Sequence, residues 1–121
     1  MESTTMSRAV MPGMANHRGI LFGGTLMAWM DEVSGIAARR FAKTEVTTVA
    51  VEQIQFLQPV FVGDFVDVTG EVVSVGNTSL KVQIRVEADR KSGEKTRAAK
   101  AVFVYVAVDG EGKSVKVGKT L

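Results

Sequence analysis

The chain has 121 residues, 45 % of them hydrophobic and 23 % charged. That is one folded domain with no room for a second. Fifteen basic and thirteen acidic residues leave a net charge of +2, too weak for nucleic-acid binding, which needs a clustered basic stripe, yet compatible with one anionic ligand. There is no cysteine and a single histidine, His17, so disulfides, thiolate catalysis, cysteine-bearing zinc sites and multi-histidine metal sites are all excluded.

In chain order, Met1 to Arg8 is polar and lacks the apolar core of a signal peptide. No segment approaches the roughly 20 apolar residues that span a membrane. The expectation is a cytoplasmic protein that engages neither membrane nor nucleic acid. Arg8 to Pro12 reads as a short strand, and Gly13 to Gly24 as a loop whose four glycines suit close backbone approach to a ligand. Thr25 to about Lys43 reads as a helix: Leu26, Met30, Val33, Ala37 and Phe41 line one face. Arg39, Arg40 and Lys43 lie at its C-terminal end, where cations suit the helix dipole. A second line on this helix, Gly24, Ala28, Asp31 and Gly35, is a stripe of small residues with one carboxylate set in it.

The rest reads as strands. Val46 to Phe56 is rich in Val, Ile and Thr. A turn with Pro59 and Gly63 follows, then a strand from Phe65 to Val75 closed by Gly76-Asn77-Thr78-Ser79. Leu80 to Ala88 alternates apolar and polar. Asp89 to Arg97 is a charged turn. Ala98 to Val108 is apolar on both faces, so it must be covered on both sides. The helix covers one, and a second copy of the chain is the simplest cover for the other. From about residue 110 a Gly/Lys-rich tail is expected to be mobile. One helix and four long strands joined by short loops predict an α+β fold, an antiparallel sheet packed on its helix, over the single domain 1–121.

Several motifs fail. Gly112-Lys113-Ser114 and Gly118-Lys119-Thr120 resemble the end of a phosphate-binding loop. The required upstream glycine is absent in both, Ala107 and Lys113 standing in its place, and no helix follows. No Gly-x-Ser-x-Gly elbow exists. What is left is Asn16 to Gly24 followed by Asp31. Free N–H groups at a helix start near Gly23 and Gly24 suit an anion or a carbonyl gaining negative charge. Asp31 lies seven residues on, roughly 10 Å along the axis, and its side chain leans back toward that start. It could act as general base or nucleophile, with Asn16 orienting water or the carbonyl. Glu32 lies off the stripe and reads as a solvated acid, and His17 as a loop histidine.

The run Ala15-Asn16-His17-Arg18-Gly19-x-x-Phe22-Gly23-Gly24-x-x-Met27-x-Trp29-Met30-Asp31 resembles the signature of hotdog-fold acyl-CoA thioesterases. It is most similar to the broad-range bacterial acyl-CoA hydrolases related to the mammalian cytosolic brain enzyme. The resemblance continues through Val51 to Val60, Val62-Gly63-Asp64 and Ala101 to Asp109. It implies a hotdog fold, a curved antiparallel sheet wrapped around one long central helix. It also implies hydrolysis of acyl-CoA to CoA and a carboxylic acid, with no cofactor, coenzyme A being part of the substrate, and no metal. The assembly implied is at least a homodimer, commonly a trimer of dimers, with the acyl-CoA between subunits. By the same resemblance Asp31 and Asn16 are catalytic and come from different subunits, and the Gly24 N–H polarises the thioester carbonyl.

Phe22, Gly23, Val60 and Gly63 are the expected substrate-lining residues. Arg39 and the Asn77-Thr78-Ser79 turn are expected at the CoA phosphates, with Arg40, Lys81, Lys91 and Arg97 as further cations. The chain departs from its relatives at Ile20, often polar, and at Gln58, often Arg; the latter change is expected to weaken a salt bridge or phosphate contact and to leave the chemistry intact. Two rivals share the fold. A hotdog hydratase typically uses an Asp–His pair, and the helix has no histidine. A non-catalytic acyl-CoA binding protein would bind without turnover.

Overall fold

The computed structural model describes residues 3–121 and has the order β1 (Thr4–Ala9), α1 (Gly23–Ala42), β2 (Glu45–Phe56), β3 (Phe65–Val75), β4 (Ser79–Asp89) and β5 (Lys95–Val108). A short 3-10 turn, Pro12–Met14, stands between β1 and α1. The five strands form one antiparallel sheet in the order β1-β3-β4-β5-β2. Consecutive strands β3, β4 and β5 are hairpin neighbours. β1 and β2 flank them as the two edges.

The core lies between the helix and the concave face of this sheet. α1 buries Leu26, Met30, Val33 and Ala37, as their spacing predicts, together with Trp29, Ser34, Ala38 and Ala42. Ser34 is fully enclosed, and its hydroxyl is satisfied by donating to the Met30 carbonyl oxygen at 2.6 Å. From the sheet come Val66, Val68 and Val72 of β3, Leu80, Val82, Ile84 and Val86 of β4, and Ala101, Phe103, Tyr105 and Ala107 of β5. The other face of β5 carries Val102, Val104, Val106 and Val108, half-buried in one protomer. The helix packs close to the sheet at Gly70. A Cβ there would lie 2.9 Å from Ile84 Cδ1 and 3.3 Å from Val33 Cγ1.

One expectation is corrected. The strand predicted over Arg8–Pro12 lies instead at Thr4–Ala9. Met1 and Glu2 fall outside the described residues. The polar run after them alternates, burying Thr4 and half-burying Met6 and Arg8, and it pairs along β3 from Thr4↔Gly70 to Ala9↔Phe65. A strand at a sheet edge needs only one dry face, so its composition reads as a polar terminus. The segment after residue 109, expected to be mobile, packs back as far as Val117. The Val115 N–H donates to Ala107 and the Val117 N–H to Asn77, both at 2.9 Å, and Val117 is buried. Of this segment Val115 is half-buried and Val117 buried, and the other residues are exposed.

Candidate active site

The loop between β1 and α1 builds the first half of the site. Ala15 bridges Leu21 and Ile20 bridges Phe61, so the loop is a small hairpin laid against the Pro59–Asp64 turn. Its tip needs Gly19, at φ 73°, a conformation that costs other residues energy. Asn16 organises the hairpin. Its side-chain oxygen accepts from the Arg18 N–H at 2.9 Å and the Ile20 N–H at 3.2 Å. With Oδ1 committed to two backbone donors, its Nδ2 amide is the end left to donate outward. His17 and Arg18 are exposed at the tip.

The Pro59–Asp64 turn is pinned by buried Asp64, which accepts from the Phe61 N–H at 2.9 Å and pairs with Arg90 at 2.7 Å. Gly63, at φ 94°, donates its N–H to Val10 at 3.0 Å. The chain then turns into α1 at Phe22, which caps the helix with no side-chain acceptor. The N–H groups of Gly23, Gly24 and Thr25 have no partner among the described residues. These free donors at the positive end of a 20-residue helix favour an oxygen bearing negative charge.

The hairpin, the turn, the helix start and the end of β2 enclose a cleft of about 400 Å³. Asn16, Ile20, Leu21, Phe22, Gly23, Leu26, Phe56, Leu57, Gln58, Pro59 and Val60 line it. Of the expected site residues it gathers Asn16, Phe22, Gly23 and Val60. Gly24 lies one residue past its rim with open space where a Cβ would stand. Gly63 lies outside, in the supporting turn, with the Lys91 side chain against it.

Asp31 opens on a second cleft two turns along the helix, of about 390 Å³, lined by Glu32, Gly35, Ile36, Arg39, Glu45, Val46, Thr48 and Tyr105 as well. Thr48 Oγ1 donates to Asp31 Oδ1 at 2.8 Å, and the Tyr105 hydroxyl donates to the same oxygen at 2.6 Å. Burial, and then the bond to Asp31, push the Tyr105 hydroxyl well above its usual pKa, so it stays a proton donor. Arg39 joins this cleft but is paired with Glu45 at 3.5 Å. Glu32, read as a solvated acid, is bound to Arg8 at 2.6 Å on the helix flank.

Within one protomer, therefore, Asn16 and Asp31 open onto different clefts. The Asn77-Thr78-Ser79 turn stands at the far end of β5 from the first cleft: Ser79 pairs Val106, whereas Phe56 pairs Ala99. Its carbonyls are engaged, Thr78 accepting from Ala107 at 2.8 Å and Asn77 from Val117. Lys81 is tied to Glu52 at 3.2 Å. Sequence reasoning missed Thr48, Tyr105 and the apolar lining Leu26, Phe56, Leu57 and Pro59. Tyr105, the chain's single tyrosine, carried the one available signal: a polar atom in an otherwise apolar strand.

A model of the thioesterase superfamily matches residues 18–93. The chain belongs to the thioesterase superfamily. This superfamily member is 43 % identical over 107 residues to the acyl-CoA thioester hydrolase YciA of Escherichia coli, covering 85 % of this chain and 81 % of that one. Its hotdog fold superposes on the hexameric thioesterase of Yersinia pestis with a TM-score of 0.91 at 38 % identity, over 98 % of this chain and 96 % of that one. It superposes on an acyl-CoA hydrolase from Staphylococcus aureus, solved with butyryl-CoA, CoA and CoA disulfide, with a TM-score of 0.89 at 32 % identity, over 94 % and 70 %. That enzyme has also been solved as alanine mutants of an asparagine, an aspartate and a threonine spaced 15 and 17 positions apart. Among the described residues, no group of three or more His, Cys, Asp or Glu could hold a metal ion, and no helix is long and apolar enough to cross a membrane.

Proposed function

We propose that the protein hydrolyses acyl-CoA thioesters to CoA and a carboxylic acid, at a site completed between two protomers. The observation that carries this reading is a spacing. Asn16, Asp31 and Thr48 stand 15 and 17 residues apart, as do the three residues substituted in the staphylococcal enzyme. The chemistry of the two clefts supports it. A thioester carbonyl is electrophilic and a thiolate leaves readily, so a carboxylate, an amide donor and a helix N-terminus suffice. The free N–H groups at Gly23 and Gly24, with Asn16 Nδ2, stabilise the oxygen that gains charge. Asp31 either takes a proton from the attacking water or attacks the carbonyl carbon itself, in which case the mixed anhydride left after the thiolate departs is hydrolysed by water to the carboxylic acid and free Asp31. The C–S bond then breaks, and the CoA sulfur leaves as thiolate and is protonated. Oxygen-18 labelling in a single turnover separates the two routes.

The mainly apolar cleft beside Asn16 takes the acyl or pantetheine portion. Lys91, whose side chain lies against Gly63 in the turn that borders it, is a cation available to a CoA phosphate. The uncovered face that would meet a second copy is continuous. It runs from Gly24 and Ala28 on α1, through Asp31 and Gly35, to the exposed residues Thr47–Val51 of edge strand β2. The assembly is a homodimer at least, arranged as a hexamer like the Yersinia enzyme. Because CoA thioesters are formed inside cells, the protein works in the cytoplasm.

Subunit complementation tests this. Asp31→Ala and Asn16→Ala should each abolish thiol release. Co-expression of the two should restore about one quarter of wild-type activity, since half of randomly assembled dimers are mixed and each carries one intact site. No recovery in verified mixed dimers would place both residues within one chain's site and overturn the shared arrangement.

A further inference from the structure

The Asp31 carboxylate is held by one oxygen. Thr48 and Tyr105 both donate to Oδ1, at 2.8 and 2.6 Å, and the Tyr105 hydroxyl also lies 2.9 Å from the Asp31 carbonyl oxygen. Oδ2 accepts no hydrogen bond among the described residues and is not enclosed. Two donors on one oxygen fix the plane of the carboxylate and leave the other oxygen with its lone pairs free.

Tyr105 is built to serve in this way. Its ring is buried, 2 % exposed, on the core face of β5, and only its hydroxyl reaches the cleft, between residues 31 and 35 of the helix. A hydroxyl anchored by a packed ring loses little conformational entropy when it bonds. The other charged groups facing the cleft are already committed: Glu32 to Arg8, and Arg39 to Glu45.

We infer that Tyr105 is a positioning residue of the hydrolysis, acting through Asp31: it holds Oδ1 so that Oδ2 is the oxygen presented to water or to the thioester carbon. This rests on the hydrolase reading above. A tyrosine serving only the core would support the same packing without the hydroxyl.

The test is steady-state hydrolysis of butyryl-CoA by wild type and Tyr105→Phe, with thermal melts of both. The variant should melt cooperatively. Its kcat should fall about 10- to 100-fold with KM within about twofold. Since the chain has one tyrosine, biosynthetic 3-fluorotyrosine alters this position alone. It keeps the ring packing and changes the strength of the hydroxyl as a donor, so kcat should shift about twofold or more with KM unchanged, and it decides the matter if the Phe variant does not fold. Wild-type kcat in Tyr105→Phe, or kcat unmoved by fluorination, overturns the inference. Failure of the wild-type protein to hydrolyse any acyl-CoA would overturn the hydrolase reading itself, and this inference with it.

Discussion

The two ends of the Asn16 side chain do different work. Its oxygen closes the loop by accepting the N–H groups of Arg18 and Ile20, and its amide is free to donate into the cleft. Aspartate retains the first function and loses the second. Asn16→Asp should therefore melt within a few degrees of wild type yet lose about 100-fold or more in kcat, as expected when an oxyanion donor is removed. Asn16→Ala should lose both activity and part of the loop's stability, about 1 kcal/mol for the vacated donors. Thermal melts beside thiol-release assays separate the two. Asp31 was legible as a site candidate because it is a carboxylate in the stripe Gly24, Ala28 and Gly35, and Asn16 was legible through the family resemblance of its loop. Thr48 and Tyr105 were not. A threonine in a β-branched run and a tyrosine in an apolar strand read as sheet and core residues. Their hydroxyls acquire meaning only when β2 and β5 are laid beside α1.

Among the elements, the helix was the most legible, since a 3.6-residue repeat of apolar side chains over about four turns has few alternative explanations. Its predicted start at Thr25 lies two residues inside the observed Gly23, because glycine carries no apolar signal and Phe22 no capping side chain. β3 runs from Phe65 to Val75 as expected, bounded by turn residues on both sides. β1 was misplaced because an edge strand needs no continuous hydrophobic run. The helix and sheet meet where β3 has no side chain, at Gly70. Gly70→Ala should drive a methyl against Ile84, Val33 and Val82 and cost about 1–3 kcal/mol in overpacking. Denaturant unfolding would show this as a lower midpoint at unchanged slope. A neutral result would mean that the flexible end of Ile84 yields and that helix–sheet spacing is not set there.

For the whole molecule, one protomer leaves an edge strand and a stripe of the helix uncovered. β2 is an edge strand exposed from Thr47 to Val51, with Val49 55 % exposed at a bulge, and it lies beside the helix stripe that carries Asp31. Val49→Lys is expected to separate the assembly and to reduce hydrolysis to the level of Asp31→Ala, with the protomer still folded. Light scattering and assay on the same sample check it, and a fully active monomer would show that each chain holds a whole site. The sequence by itself determined the class of fold, the inner face of the helix and the apolar character of β5. These follow from periodicity and composition, which act over a few neighbouring residues. Only the tertiary structure decided that the polar N-terminus is an edge strand and that the tail packs down to Val117. It also decided that Asn16 and Asp31 open onto separate clefts and that a buried tyrosine grips the carboxylate. Each of these depends on contacts between residues distant in the chain, whose register no local pattern encodes.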